Sequence, residues 1–232
     1  MYTLYIANKN YSSWSLRPWV LMRERKIPFE ERLMPFGAGP PGSNRHAFRQ
    51  FSPSGLVPCL VDGDTVVWES LAIAEYLAER HDGVWPADPA ARAWARSAAA
   101  EMHAGFAALR DRCTMNVGVR VRLGDIPPAL AQDIARIGEL WNQGLDRFGG
   151  LFLAGKAFTA VDAFFAPVAF RVQTYGVALD GAAAAYAKRL LALPSMHDWE
   201  TAALQEPWRD PSHEADARRA GAWIEDRRTP PA

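Results

Sequence analysis

Short apolar runs fill the opening third of the chain, and long helical stripes fill the rest. Residues 2–7, 29–34, 59–61 and 65–68 are continuously or alternately apolar and read as strands. Apolar positions at helical spacing over residues 15–25 and 70–80 read as helices. Strand, helix and strand, then two strands across Asp62-Gly63-Asp64 and a closing helix, predict a small α/β layer. Between its halves, Phe36-Gly-Ala-Gly-Pro-Pro-Gly-Ser43 carries too many glycines and prolines for regular structure and reads as a long loop.

From Asp88 onward the texture turns to alanine-rich helical periodicity with almost no strand signal. Helices are expected over residues 89–113, 128–148, 161–175, 182–193 and 195–204, punctuated by Gly and Pro. The expected organisation is an α/β domain over 1–81, a linker over 82–88, and an all-helical domain over 89–205. A polar tail over 206–232, carrying Trp208 and Trp223, is expected to lie on the surface.

Composition narrows the partners. Of 232 residues 49% are hydrophobic, enough for a packed core, and 26 basic residues balance 26 acidic ones. That balance provides no field to draw nucleic acid or an anionic membrane, so a small molecule or another protein is the expected partner. Two cysteines, Cys59 and Cys113, are too few for a disulfide framework and suit a reducing compartment. The opening stretch is too short for a signal segment, and no apolar run reaches spanning length, so a cytoplasmic location is expected. Metal-ligand spacings, a CxxC pair and phosphate-binding glycine motifs are all lacking, so no metal is expected.

The chemistry concentrates in Asn10-Tyr-Ser-Ser-Trp-Ser-Leu-Arg-Pro-Trp19, at the first strand-to-helix turn. Hydroxyls there meet the positive end of a helix dipole, which stabilises an anion such as a thiolate. Ser12, Ser13 and Ser15 serve either this role or plain helix capping. Pro58 precedes a short strand, either as a simple strand start or as a cis-proline that turns Val57 toward a ligand. Glu69 and Ser70 open a helix, where they cap it or hold an amine and a carboxylate. Thr159-Ala-Val-Asp162 reads as a capping box that supports folding. Cys59, beside Pro58, reads as a small buried residue rather than a nucleophile.

Taken together and in this order, these four signals resemble the cytosolic glutathione S-transferase family over residues 1 to about 204. Within it, Ser12-Ser13-Trp14-Ser15-Leu16-Arg17 is most similar to the zeta-class motif Ser-Ser-Cys-Ser/Ala-x-Arg. The resemblance implies a thioredoxin-like N-terminal domain followed by an all-α domain, and a cytoplasmic homodimer engaged in detoxification. It implies glutathione as co-substrate, Ser12 with Ser13 as catalytic serines, Val57 and Pro58 at the cysteinyl part, and Glu69 and Ser70 at the γ-glutamyl end. A small, partly apolar electrophile would meet the helical domain near Trp14, Arg17, Met102, His103, Phe106, Met115 and Asn116. Arg17 aims at a substrate carboxylate or is a solvated helix residue; His103 and the apolar members line the pocket or are ordinary core.

Three positions depart from the zeta pattern. Trp14 stands where the motif has cysteine, and Leu56 where a polar residue often helps hold glutathione. The loop before Arg45 and His46 leaves open which residue meets the glycine carboxylate. Conjugation is the leading activity; glutathione-dependent cis-trans isomerisation of maleylacetoacetate and a non-catalytic glutathione-binding interaction module are the alternatives.

Overall fold

The computed structural model describes residues 1–37 and 44–230. Most of the expected Gly/Pro loop, residues 38–43, lies outside the described residues. Strand β1 (Tyr2–Ile6) runs parallel to β2 (Phe29–Leu33) and antiparallel to β3 (Cys59–Asp62), which pairs with β4 (Thr65–Trp68) across the expected turn. The sheet order is β2-β1-β3-β4. β1 and β3 are central, so Leu4, Ile6, Cys59 and Leu60 are fully buried, whereas Trp68 on the edge strand is exposed.

Helix α1 (Ser13–Glu24) is buried along residues 15–22 because it is wedged between this sheet and the second domain. A one-turn helix α2 (Arg45–Phe48) follows β2, and α3 (Ser70–Ala78) follows β4. Both long helices of this domain match expectation to within two residues; α2 was too short to leave a periodic signal.

The helical domain comprises α4 (Pro89–Ala104), α5 (Ala107–Arg112), α6 (Pro128–Phe148), α7 (Ala160–Tyr175), α8 (Gly181–Leu191) and α9 (Pro194–Gln205). The single helix expected over 89–113 is two, since Gly105 is extended and Phe106 adopts a left-handed φ of 59°. α7 is the buried axis of the domain and packs against both α1 and α4. Its expected capping box is present: the Thr159 hydroxyl and amide meet Asp162, whose Oδ1 also accepts from Leu153 N–H and the Tyr186 hydroxyl.

The tail differs from expectation. After Glu206 it forms α10 (Pro211–Ala220) and then β6 (Gly221–Asp226), which pairs antiparallel with β5 (Val119–Leu123). The helical domain therefore carries a two-stranded ribbon, and the tail folds back against the N-terminal domain. Among the described residues no helix is long and apolar enough to cross a membrane.

Candidate active site at the domain interface

The chain leaves β1 and turns tightly, with Tyr11 and Ser12 N–H both donating to the Asn8 carbonyl at 3.1 and 2.8 Å. Ser12 thereby becomes the N-cap of α1, only 5% exposed. Its Oγ accepts from Ser15 N–H at 3.4 Å and lies 2.7 Å from Ser15 Oγ, which in turn accepts from Ala7 N–H at 3.2 Å. Capping and chemistry are not exclusive here: the capping oxygen also lines a cavity of about 290 Å³, together with Tyr11, Ser13, Trp14 and Met115.

A second cavity, of about 400 Å³, lies on the other side of Trp14, Leu56 and Val57, which wall both. Pro58, Glu69 and His103 complete it, and the Val57–Pro58 peptide bond is cis. Glu69 holds a left-handed φ of 70° immediately before α3, a conformation that non-glycine residues keep mainly where the surroundings impose it, often at ligand sites. Neither Glu69 nor Ser70 caps α3 through its side chain.

Several expected pocket residues sit elsewhere. Arg17 is neither in solvent nor in a cavity wall; it is 1% exposed, 4.2 Å from the Trp14 ring centre and 4.8 Å from that of Phe164. It donates to the buried Ser70 hydroxyl at 3.4 Å, so Ser70 faces Arg17 rather than open space. Met102 is core, with its carbonyl accepting from Arg17 and Arg110. Phe106 is spent on the α4–α5 break and is buried.

Asn116 is buried beneath the tail, bonded to Asn10 at 2.9 Å and Glu214 at 3.2 Å. Of the expected pocket set, Trp14, His103 and Met115 line the cavities. The His103 ring packs edge-on to Trp14 at 5.3 Å, and burial together with Arg17 lowers its pKa below the ordinary histidine value. Cys59 and Cys113 are buried, and burial raises each thiol to about 11, too high for a nucleophile at neutral pH.

The residues not anticipated come from the helical domain and the tail. Arg110, Thr114 and Arg171 line the serine-side cavity, with Phe36, Phe48, His213 and Asp216. Arg171 did leave a signal, a single cation inside the apolar run Ala163 to Val172. The His213 ring stacks on Tyr11 at 4.9 Å and on Phe36 at 5.5 Å, bringing α10 against the site. A buried latch secures it: Glu214 receives Arg228 at 2.5 and 3.0 Å and the Tyr11 hydroxyl at 2.7 Å, and Arg228 also bonds Asp226 at 2.6 Å. Burial raises the Glu214 carboxyl, but Arg228 and Tyr11 outweigh it and hold the group below its ordinary value. Nearby, Glu206 accepts from Lys9 N–H at 2.6 Å and Asn10 N–H at 3.2 Å.

Residues 11–80 match the family model of the glutathione S-transferase N-terminal domain. The chain is 44% identical over 63 residues to a dichloromethane dehalogenase of Methylorubrum extorquens, covering 27% of this chain and 21% of that protein. It is 34% identical over 149 residues to glutathione S-transferase theta-1 of Bos taurus, covering 60% and 58% respectively. It therefore spans less than two thirds of either relative's length. A solved glutathione transferase homolog from Burkholderia gl BGR1, with bound glutathione, has the same fold at a TM-score of 0.63 and 23% identity, covering 87% of this chain and 97% of that one.

Proposed function

We propose that this chain, whose residues 11–80 match the glutathione S-transferase N-terminal domain, is a member of that family that ionises the thiol of glutathione at Ser12 and adds it to a small electrophile. The observation that carries this reading is the hydroxyl pair at the α1 N-terminus, Ser12 donating to Ser15 Oγ, which also accepts from Ala7 N–H, beside the cavities walled by Val57, Pro58 and Glu69. Val57 pairs with the cysteinyl backbone and Glu69 holds the γ-glutamyl amine, while Ser70, its hydroxyl engaged by Arg17, offers its N–H at the start of α3 to the γ-glutamyl carboxylate. Ser13 and the first α1 amides add donors and dipole field near the sulfur.

A free thiol has a pKa of about 8.5, so only a few per cent is thiolate at pH 7. When sulfur arrives, Ser15 rotates its proton toward Ser12 Oγ, and Ser12 turns its own proton to sulfur. Each hydroxyl keeps one donor and at least one acceptor role, and Ser12 also retains the Ser15 N–H. The thiol proton leaves to solvent. The sulfur lone pair then forms the sulfur–carbon bond as the electrophile's leaving group departs with its electron pair.

The serine-type assignment and the likeness to the zeta class rest on Ser12-Ser13-x-Ser15-x-Arg17. Trp14 in place of the zeta cysteine favours conjugation over isomerisation. In this reading the protein works as a cytoplasmic homodimer; sedimentation giving only a 25.7 kDa species would refute the dimer.

A hydrogen bond to a charged group is worth about 1.5–3 kcal/mol, so Ser12→Ala should lower kcat/KM for 1-chloro-2,4-dinitrobenzene by roughly 10- to 150-fold. The thiol pKa of bound glutathione, followed by thiolate absorbance, should rise, while calorimetric affinity for glutathione changes little. Full activity in Ser12→Ala would defeat the assignment.

A further inference from the structure

Buried cations in folded proteins are almost always paired, because leaving one unpaired costs several kcal/mol. Arg171 and the half-buried Arg110 on the wall of the serine-side cavity, and the buried Arg17 behind Trp14, break this pattern. Arg171, 4% exposed, donates Nε–H to the Cys113 carbonyl at 2.8 Å, but its buried Nη1 has no partner among the described residues. Arg110 bonds the neutral carbonyls of Met102, His103 and Gly105. Arg17 bonds the Ser70 hydroxyl and the Met102 carbonyl, and its buried Nε is also unpartnered among the described residues.

Among the described residues, none of the three forms an ion pair with a carboxylate, although fourteen lysine– or arginine–carboxylate pairs occur elsewhere. Asp216, the one acid on the cavity wall, is bound to Arg219 at 2.8 Å. Burial and the neighbouring Arg110 lower Arg171 to about 10, which leaves it charged at neutral pH.

We propose that this cavity receives the carboxylate of the second substrate, bound by Arg171 and Arg110, so that the substrate class is carboxylate-bearing electrophiles. The proposal builds on the glutathione-dependent reading above. A planar carboxylate matches the guanidinium fork and neutralises charge that no carboxylate in direct contact offsets, Asp133 acting on Arg110 only through space. Glutathione also has carboxylates, but Glu69, assigned to its γ-glutamyl end, and Pro58 line only the second cavity, while Val57, assigned to its cysteinyl part, stands in the wall that both cavities share. Arg110 and Arg171 instead come from α5 and α7 and face the serine turn beside Thr114 and Met115.

The test compares an acid with its ester. Unreactive 3,5-dinitrobenzoate and its methyl ester are titrated calorimetrically into the full chain saturated with glutathione. The reactive pair, 4-chloro-3,5-dinitrobenzoate and its methyl ester, is then assayed for conjugation. The acid should be preferred at least tenfold in both measurements. Arg171→Gln and, separately, the half-buried Arg110→Gln should each cut that preference to less than threefold while leaving glutathione affinity within twofold.

Circular dichroism identifies any variant that fails to fold; the wild-type acid-to-ester ratio and the other variant then decide. Equal or stronger binding of the ester by the wild type overturns the proposal. So does a tenfold loss of glutathione affinity in the folded variants, which would assign the arginines to the tripeptide's own carboxylate. Conjugation of both probes without acid preference refutes the anion site and keeps the transferase. Acid-selective binding without any conjugation keeps the anion site and refutes the transferase.

Discussion

Trp14 answers a problem created by its neighbours. The ζ-carbons of Arg17 and Arg110 lie 4.2 and 4.7 Å from its ring centre, so one aromatic ring takes up part of two poorly solvated charges. A desolvated cation–π contact is worth about 2 kcal/mol. Trp14→Ala should therefore lower stability by about 3–5 kcal/mol once lost packing is included, and Trp14→Phe, which keeps an aromatic face, should recover more than half. Urea midpoints of the two variants check this, and a Trp14→Ala protein as stable as the parent would exclude a supporting role for the ring. The serines, Val57-Pro58 and Glu69 were visible in the sequence because turn and helix-start chemistry is local. Arg171 showed only as a lone cation in an apolar run and Arg110 not at all, because the lack of a carboxylate in direct contact with either is set by how α5 and α7 pack.

At the scale of elements, local patterns located the first sheet, both its long helices and α6, whose limits are set by Pro128 and by Gly149 in the left-handed conformation. The tail was misread for a physical reason. Its helix is polar and its strand short, so neither holds a shape alone; what fixes them is pairing with Val119-Arg-Val-Arg-Leu123 and the buried latch at Glu214. The first of these alternates as a strand should, but five residues make a strand only when a partner is present. Arg228 lies across Gly118, where an added Cβ would come within 2.1 Å of its Cγ, so the latch has room only because residue 118 lacks a side chain. Arg228→Met should leave Glu214 buried without its cation and cost about 3–5 kcal/mol. Limited proteolysis should then cut α10 and β6 well before the domain cores; an unchanged cleavage pattern would show that the latch does not hold the tail.

For the whole molecule, pH acts through carboxyls of opposite tendency. Arg228 holds Asp226 below its ordinary value, and together with Tyr11 it does the same for Glu214 against burial; the stability these acids contribute is present above about pH 4.5 and is lost on acidification. Glu206 and Asp162 behave the other way, because burial raises the first from 4.5 to about 7 and the second from 3.8 to about 6. Within those windows the folded state binds more protons than the unfolded chain, so their contribution is complete below the lower value and disappears as pH rises through the upper one. Melting temperature should therefore peak near pH 5 and fall toward pH 7.5. Each pKa unit corresponds to about 1.4 kcal/mol, which limits the Glu206 part to a few kcal/mol. Glu206→Gln keeps an acceptor for the Lys9 and Asn10 amides but cannot ionise, so calorimetric melting between pH 5 and 7.5 should be visibly flatter in that variant. Because those two amides lie directly before Tyr11 and Ser12, the same titration bears on how firmly the tail stays docked beside the serine turn; an equally steep decline in Glu206→Gln would assign the slope to Asp162 and separate tail docking from pH.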